Sequence, residues 1–251
     1  MRLKFLIAAV TLWMTPAAVP LAAQVRVVAS NGVKAAMEEL RPQYERAAAQ
    51  PVRIEYATSA SLAQRIEAGE AFDVAILTSD LIDALTKAGK LSAGARAELG
   101  RSGIGVGVRK GAKRPDIRTA EAFKNALLNA KAITYAGDGA SRVTLERSFE
   151  RMGIAEAMKR KTLLEQGSTR ATARVASGDA ELVLTLVSEI LPAPGVELLG
   201  PIPAEFQNYV AFAAAMSAKP GNSPAAAAIL KFLSGPAVGP VLKAKGMEAG
   251  R

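Results

Sequence analysis

The sequence predicts an α/β fold of two lobes, each built on a mixed sheet flanked by helices, with two strands crossing between the lobes. Three observations predict it. Strand and helix patterns alternate along the chain, half of the 251 residues are hydrophobic, and two apolar strands are suited to act as hinge crossings. A chain of this length and composition can bury a substantial core.

The first 23 residues have the pattern of an export signal. Arg2 and Lys4 precede an apolar stretch at 5–13 that is too short to span a bilayer, and small residues and prolines follow up to Ala23. We expect cleavage after Ala23 and a periplasmic mature protein. No later segment reaches the ~18 apolar residues of a membrane helix, so no membrane insertion is expected once the signal is removed.

The mature chain begins with two strand–helix units whose strands both end in short polar residues. The strand at 25–29 stops at Ser30, Asn31 and Gly32, and the second strand stops at 57–61. Hydroxyl and amide side chains at a helix start cap the helix, and its free backbone N–H groups lie at the same end. Because ligands of open α/β sheets bind beyond the carboxyl ends of the strands, these turns predict an anion site.

The remaining elements follow in order from apolar runs and turn residues. Further strands are predicted at 73–77, 103–109, 132–136, 182–187, 196–199 and 209–216. Helices are predicted between them and at the C-terminus, at 62–69, 120–130, 142–152, 166–178, 223–233 and 238–245.

Two of these strands are interpreted as the crossings. Glycine alternates along 103–109, and glycine in a strand interior often marks a bend; the long apolar strand at 209–216 suits the return. Lobe I is therefore predicted at 24–104 plus 211–251, and lobe II at 105–210. Two lobes joined in this way enclose a cleft that closes by a hinge around a ligand.

Composition excludes several kinds of chemistry. The chain has no Cys and no His, which removes disulfides, thiol chemistry, the commonest general base and the usual zinc and copper ligands, so no metal or cofactor is expected. The formal charge of +9 falls to +7 without Arg2 and Lys4. Nucleic acid is not expected as a partner, because the basic residues are scattered except at 110–113 and 159–161 and no aromatic residues lie among them. A small anionic ligand fits this charge.

The order of elements and three sequence motifs resemble the periplasmic molybdate-binding protein family. The motifs are LAQRIEAG at 62–69, FDVAI at 72–76 and LKFLSGP at 230–236, and the resemblance covers nearly all of the mature chain. It implies the type II periplasmic binding protein fold and a monomeric solute receptor that delivers its ligand to an ABC permease. Function is not settled by fold alone.

The resemblance also implies a set of ligand-binding residues, in which the pocket departs from the molybdate pattern. Gly32 stands where the family has a hydroxyl ligand, Leu186 replaces a tyrosine, and arginines occur beside the third and fourth loops. Arginine binds carboxylates bidentately, so a carboxylate-bearing solute is expected in preference to molybdate, with phosphate-like or sulfonate ligands as alternatives. The predicted ligand-binding residues are Ser30, Asn31, Gly32, Ser59, Ser141, Arg142, Ser168, Arg170 and Tyr209.

Alternatives remain open at the level of sequence. One is an enzyme on the same scaffold, an aconitate isomerase, in which the two arginines hold the substrate and a carboxylate, lysine or tyrosine moves the proton. By position the acid–base candidates are Asp80, Asp138, Glu189 and Tyr209. Another is a molybdate or tungstate receptor with an altered pocket. Ser59 and Ser61 also have a structural interpretation as N-caps, which is the interpretation favoured for Ser61.

Overall fold

The computed structural model describes residues 24–249, and the predicted signal at 1–23 lies outside them. The N-terminal elements are β1 (Val25–Ser30), a single 3-10 turn (Asn31–Val33), α1 (Lys34–Ala48), β2 (Val52–Ala57), α2 (Ser59–Glu67), β3 (Val74–Thr78), α3 (Ser79–Lys87) and β4 (Leu91–Arg109).

The middle of the chain alternates helices and short strands. It comprises α4 (Ala120–Asn129), β5 (Ile133–Ala136), α5 (Arg142–Arg151), α6 (Ala155–Lys161), β6 (Thr162–Glu165), α7 (Ser168–Ser177), β7 (Leu182–Leu186), α8 (Val187–Ile190) and β8 (Val196–Pro201). The C-terminal elements are β9 (Tyr209–Ser217), α9 (Ser223–Leu233), α10 (Val238–Ala244) and β10 (Glu248–Ala249).

The strands form a mixed sheet in the order β2-β1-β3-β9-β4-β7-β5-β6, with β8 and β10 also paired to β4. Strand β1 is parallel to β2 and β3, and β5 is parallel to β6 and β7, whereas β4 and β9 run antiparallel to their neighbours. The predicted α/β fold with mixed sheets flanked by helices is confirmed. The predicted lobe boundaries stay a prediction.

Strand β4 connects the two halves of the sheet. Up to Gly103 it pairs with β9, and from Ile104 onward it pairs with β7 and β8. We call the part made by β1, β2, β3, β9 and the start of β4 the first half. The part made by the end of β4 with β5 to β8 is the second half. Thr78, the end of β3, pairs with Phe212, and Leu186, the end of β7, pairs with Ile104. The carboxyl ends of the strands in both halves therefore face each other near the middle of β4.

Helix α1 shows how the sequence produces the core. Its buried residues include Met37, Leu40 and Tyr44, which recur at helical spacing and lie on one side of the helix. They belong to an apolar cluster that extends from β1 to the helices of the second half. Within residues 24–249, no single helix is long and apolar enough to cross a membrane, and only α9 and α10 pass that test together, as a pair bent by 66°.

A buried carboxylate, Asp73, ties three segments of the first half together. One of its oxygens accepts the backbone N–H of Arg26 at 2.8 Å, and the other accepts that of Asn222 at 2.9 Å. The Asn222 side chain in turn accepts the backbone N–H of Ala225 and caps α9. Asp73 thereby fixes the start of β1 and the entry to α9 against the start of β3.

We expect Asp73→Ala to lower the free energy of unfolding by about 2 to 4 kcal/mol, because two backbone N–H groups lose their acceptor in a buried place. Urea denaturation at neutral pH measures the change. The matched control is Asp83→Ala, which removes an exposed carboxylate paired with Arg96 and should cost less than about 1 kcal/mol. Equal losses in the two variants would contradict this role.

Candidate functional site

The first half contributes three segments to the candidate site, namely the turn after β1 and the starts of α2 and α3. The hydroxyl of Ser30 accepts the backbone N–H of Gly32 at 3.3 Å, which shapes the turn. A side chain at residue 32 has no room, because a Cβ there would lie 2.5 Å from the ring of Phe212 and 3.1 Å from Leu186. The space beside Gly32 is therefore occupied by apolar side chains from both halves.

Helix α2 begins earlier than the sequence predicts, and this changes the roles of its hydroxyl residues. Thr58 is the N-cap and accepts the backbone N–H of Ser61 at 3.3 Å, so the interpretation of Ser61 as an N-cap is wrong. The Ser59 hydroxyl accepts the backbone N–H of Thr78 at 3.2 Å and links α2 to the end of β3. Nearby, the buried hydroxyl of Ser79 has no hydrogen-bond partner among the described residues.

Asp138 links the two halves across the cleft. Its Oδ2 accepts the hydroxyl of Thr58 at 2.8 Å, and its Oδ1 accepts the backbone N–H of Gly167 at 2.9 Å. Thr58 belongs to the first half, whereas Asp138 and Gly167 belong to turns of the second half. The carboxylate therefore joins the loops after β2, β5 and β6, and both of its oxygens are occupied.

The start of α5 places Ser141 and Arg142 within the second half. Ser141 is buried at the N-cap position without a side-chain capping bond. The Arg142 guanidinium donates to Glu146 at 2.8 Å and to the carbonyl of Gly137 at 2.7 Å. The unfavourable position of a cation in the first turn is thus balanced by an acidic residue one turn later.

A buried carboxylate, Glu189, lies where β7 ends. Ser168 donates to one of its oxygens at 2.7 Å, and the Thr185 hydroxyl and the Leu186 N–H donate to the other. Burial raises the pKa of Glu189 above the usual value for a glutamic acid. The three donors act in the opposite direction, and the charge of Asp138 raises the pKa further. The residue keeps some exposure, but protein encloses its carboxylate.

Two adjacent cavities occupy the cleft. The larger, of about 860 Å³, has cations from both halves in its wall, and the smaller, of about 210 Å³, extends to Glu189. The walls of both include Asn31, Lys34 and Thr169. The larger cavity is also lined by Tyr56, Thr58, Ser61, Gln64, Gly137, Asp138, Glu165, Gln166, Gly167 and Arg170. The smaller is also lined by Glu38, Ser168, Thr172, Glu189 and residues 192–194.

The acidic and basic side chains in the wall of the larger cavity differ in whether they have charged or hydrogen-bonding partners within residues 24–249. Asp138 is bonded as described, and Glu165 pairs with Arg174 at 2.5 Å. Lys34 lies over the ring of Tyr56, 5.4 Å from its centroid, and neither Lys34 nor Arg170 has a salt-bridge partner within residues 24–249. The two acids are engaged with protein groups while the two cations remain available, so the cavity can receive an anion.

The structure brings together three of the predicted ligand-binding residues, Asn31, Ser168 and Arg170, in the walls of these cavities. Neither wall includes the other six. Tyr209 is 42% exposed and its ring packs under the guanidinium of Arg101 at 4.4 Å. The remaining five lie at the strand end, the 3-10 turn and the helix starts described above, namely Ser30, Gly32, Ser59, Ser141 and Arg142. Their roles stay predictions.

Lys34, Thr58 and Thr169 line the cleft but were not among the predicted residues. Lys34 had a usable signal, because it is a cation in the first turn of α1, the position considered unusual for Arg142. The contact of Thr58 with Asp138 had no usable signal in the sequence, because 80 residues separate the two positions. Among the described residues, no group of three or more His, Cys, Asp or Glu could hold a metal ion.

The raised pKa of Glu189 predicts a pH-dependent effect of Glu189→Gln on stability. The folded state holds the proton of this carboxyl to higher pH than the unfolded state, so wild type loses stability as pH rises above 4.5 and through the folded pKa. Glu189→Gln lacks this loss of stability, because glutamine does not titrate. We expect the difference in unfolding free energy to move in favour of Glu189→Gln between pH 4.5 and 8 in urea titrations. The exposed Glu156→Gln is the control, and a pH-independent difference would contradict the expectation.

Comparison with known proteins identifies the family. Residues 25–248 match the family described as bacterial extracellular solute-binding protein. The chain is 32% identical over 214 residues to an aconitate isomerase of a Pseudomonas species, covering 83% of this chain and 81% of that protein. It is 26% identical over 234 residues to the molybdate-binding protein ModA of Azotobacter vinelandii, covering 90% of each.

The solved structures agree with this. The periplasmic molybdate-binding protein of Azotobacter vinelandii superimposes with a TM-score of 0.77 at 16% identity, covering 91% of this chain and all of that one. An identity this low shows the fold, while the family match spans almost the whole described chain. The chain belongs to the bacterial extracellular solute-binding protein family and has the type II periplasmic fold of its molybdate-binding members.

Proposed function

We propose that this protein binds a small organic polycarboxylate in the cleft between its halves. The observation that carries the proposal is that Lys34, from the first half, and Arg170, from the second, line one cavity without salt-bridge partners in residues 24–249. A ligand with more than one carboxylate can engage both cations at once. Such contacts join the halves across the ligand, as closure of a hinged binding protein requires.

Cavity size and pocket chemistry both favour a polycarboxylate over a tetrahedral oxyanion. About 860 Å³ is within the usual range for organic ligands and larger than a molybdate ion needs. Arginine offers the planar fork that suits a carboxylate. At the first loop, Gly32 supplies no hydroxyl, and Phe212 and Leu186 fill the space beside it. The similarity to a protein named aconitate isomerase points to the same class of ligand.

The proposal includes where the protein works. Members of its family are extracellular, and the sequence begins with the pattern of an export signal. We place the mature protein in the periplasm as a monomer, where a receptor would deliver its ligand to an ABC permease.

Calorimetry on the mature protein with citrate, cis-aconitate, trans-aconitate and molybdate tests the ligand. We expect an organic acid to bind, and Lys34→Ala and Arg170→Ala to weaken binding about tenfold each, since each removes a charge-assisted hydrogen bond. Arg142→Ala should have a smaller effect because Glu146 and Gly137 already engage that side chain. Arg160→Ala, in the distant basic run of α6, is the control. Binding of molybdate alone would contradict the proposal.

A second candidate function, isomerisation of aconitate, is favoured by Glu189. This carboxyl lines the smaller cavity, and its raised pKa makes the ionised form a stronger base than a free carboxylate. In the reaction, a base removes a proton from the methylene carbon, the double bond shifts, and a proton returns to the former vinyl carbon. One carboxyl can perform both transfers. Ser168 and Thr185 would hold Glu189 in place for them.

The cis/trans ratio of aconitate incubated with the protein, followed by NMR, tests this second candidate. We expect interconversion by wild type and a loss of at least about 100-fold in rate in Glu189→Gln, with affinity for trans-aconitate changed only a few-fold. Asp138→Asn, which alters the other carboxylate of the cleft, is the comparison. Binding without interconversion by wild type would contradict the isomerase and leave a receptor.

A further inference from the structure

The cleft makes no use of the basic run at 110–113, which the sequence marks as one of two concentrations of positive charge. In the structure Ala112 and Lys113 of this run line a separate cavity of about 720 Å³, which we call the far-end cavity. We propose that the far-end cavity is a second ligand site, which binds a small anion with an apolar body, such as an aromatic or medium-chain carboxylate or sulfonate.

The far-end cavity lies at the opposite end of the second half from the cleft. Its wall includes Arg109, the last residue of β4, and Leu182, the first residue of β7. The cleft lies at the other end of the same antiparallel pair, where Ile104 faces Leu186. The extended strand from Ile104 to Arg109 spans about 17 Å, so the two sites lie at opposite ends of this strand pair. A ligand in one therefore has no direct contact with a ligand in the other.

The wall of the far-end cavity combines an apolar floor with polar groups. The buried residues Val108, Ala126 and Leu182 supply the floor, next to further alanines of the lining. Asn125 and Asn129 also line the cavity, and their spacing places them on one side of α4. An apolar surface with a few polar groups is the usual composition of a site for a small organic molecule.

The charges of this wall leave two cations without partners. Arg114 pairs with Glu197 at 2.8 Å, and Asp116 is held by Arg118 at 2.9 Å. Arg109 and Lys113 make no salt bridge within the part of the chain that the structure describes. The remaining acid of the wall, Glu181, accepts the backbone N–H of Lys131 at 3.2 Å.

A glycine at the end of α7 lies beside one of these cations. Gly178, which ends α7 with a φ of +91°, also lines the cavity, and a Cβ there would lie 3.5 Å from Nη1 of Arg109. The guanidinium therefore lies beside the end of α7 with no side chain between them. Arg109 and Lys113 can receive the anionic group of a ligand whose apolar part rests on the floor.

Titration of the mature protein with 1-anilinonaphthalene-8-sulfonate, an anion with an apolar body, tests the site by fluorescence. We expect Arg109→Gln and Lys113→Gln each to weaken binding about tenfold, because each loses a charged contact. Glu181→Gln should tighten it, since a like charge is removed. Lys159→Gln, from the other basic run, is the matched control and should bind as wild type does. Thermal unfolding of each variant checks that it is folded.

Two results would overturn the far-end site. One is an unchanged affinity for the probe in both Arg109→Gln and Lys113→Gln. The other is a tenfold loss in Arg170→Ala, which would place the probe in the cleft. Because the probe and the variants of the far-end cavity, Arg109→Gln and Lys113→Gln, differ from those used for the polycarboxylate, failure of one proposal leaves the other standing.

Discussion

The structure depends on the hydrogen-bonded pairing of β4 with strands of both halves. One strand of 19 residues pairs with β9 in the first half and with β7 and β8 in the second. Because both halves share this strand, the carboxyl ends of their parallel strands are brought to the same place. The turns that follow those strands therefore lie opposite one another, and the cleft is the space between them.

Electrostatics within the cleft decide what it can receive. Carboxylates close to an anion site would normally oppose binding, but here each is engaged by protein. Asp138 is held by Thr58 and the Gly167 N–H, Glu165 by Arg174, and Glu189 by hydroxyl donors and an N–H in a place where burial favours its neutral form. Lys34 and Arg170 are left to attract a ligand. The charge of Arg142 is likewise engaged by protein, because its guanidinium donates to Glu146 one helical turn away.

The relation to molybdate-binding proteins that the structure shows is a shared fold. This chain positions polar turns at the carboxyl ends of its strands, where helix N-termini and free N–H groups favour anions. In this chain, close packing of Gly32 against Phe212 and Leu186 removes space from the first loop. The open volume lies instead beside Lys34 and Arg170. The relatives of this chain include proteins named for molybdate binding and for aconitate isomerisation, so the fold by itself does not fix the ligand.

The sequence by itself determined the fold class, the family and most strand positions, because these depend on local apolar runs and on the turn residues that end them. It also placed Asn31, Ser168 and Arg170 in the walls of the cleft, since a residue that follows a parallel strand must lie at that edge of the sheet. It missed the first part of β4, where Gly and charged residues interrupt the apolar pattern, and the half-exposed strand β6.

Only the tertiary structure decided which side chains are free and which are bonded. The partner of Asp138 lies 80 residues away, and the place beside Gly32 is filled by Phe212, 180 positions further along the chain. Such contacts depend on the packing of one half against the other, which leaves no periodic signal in the sequence. That packing determines which charged side chains are free to bind a ligand, and therefore which ligand chemistry suits the cleft.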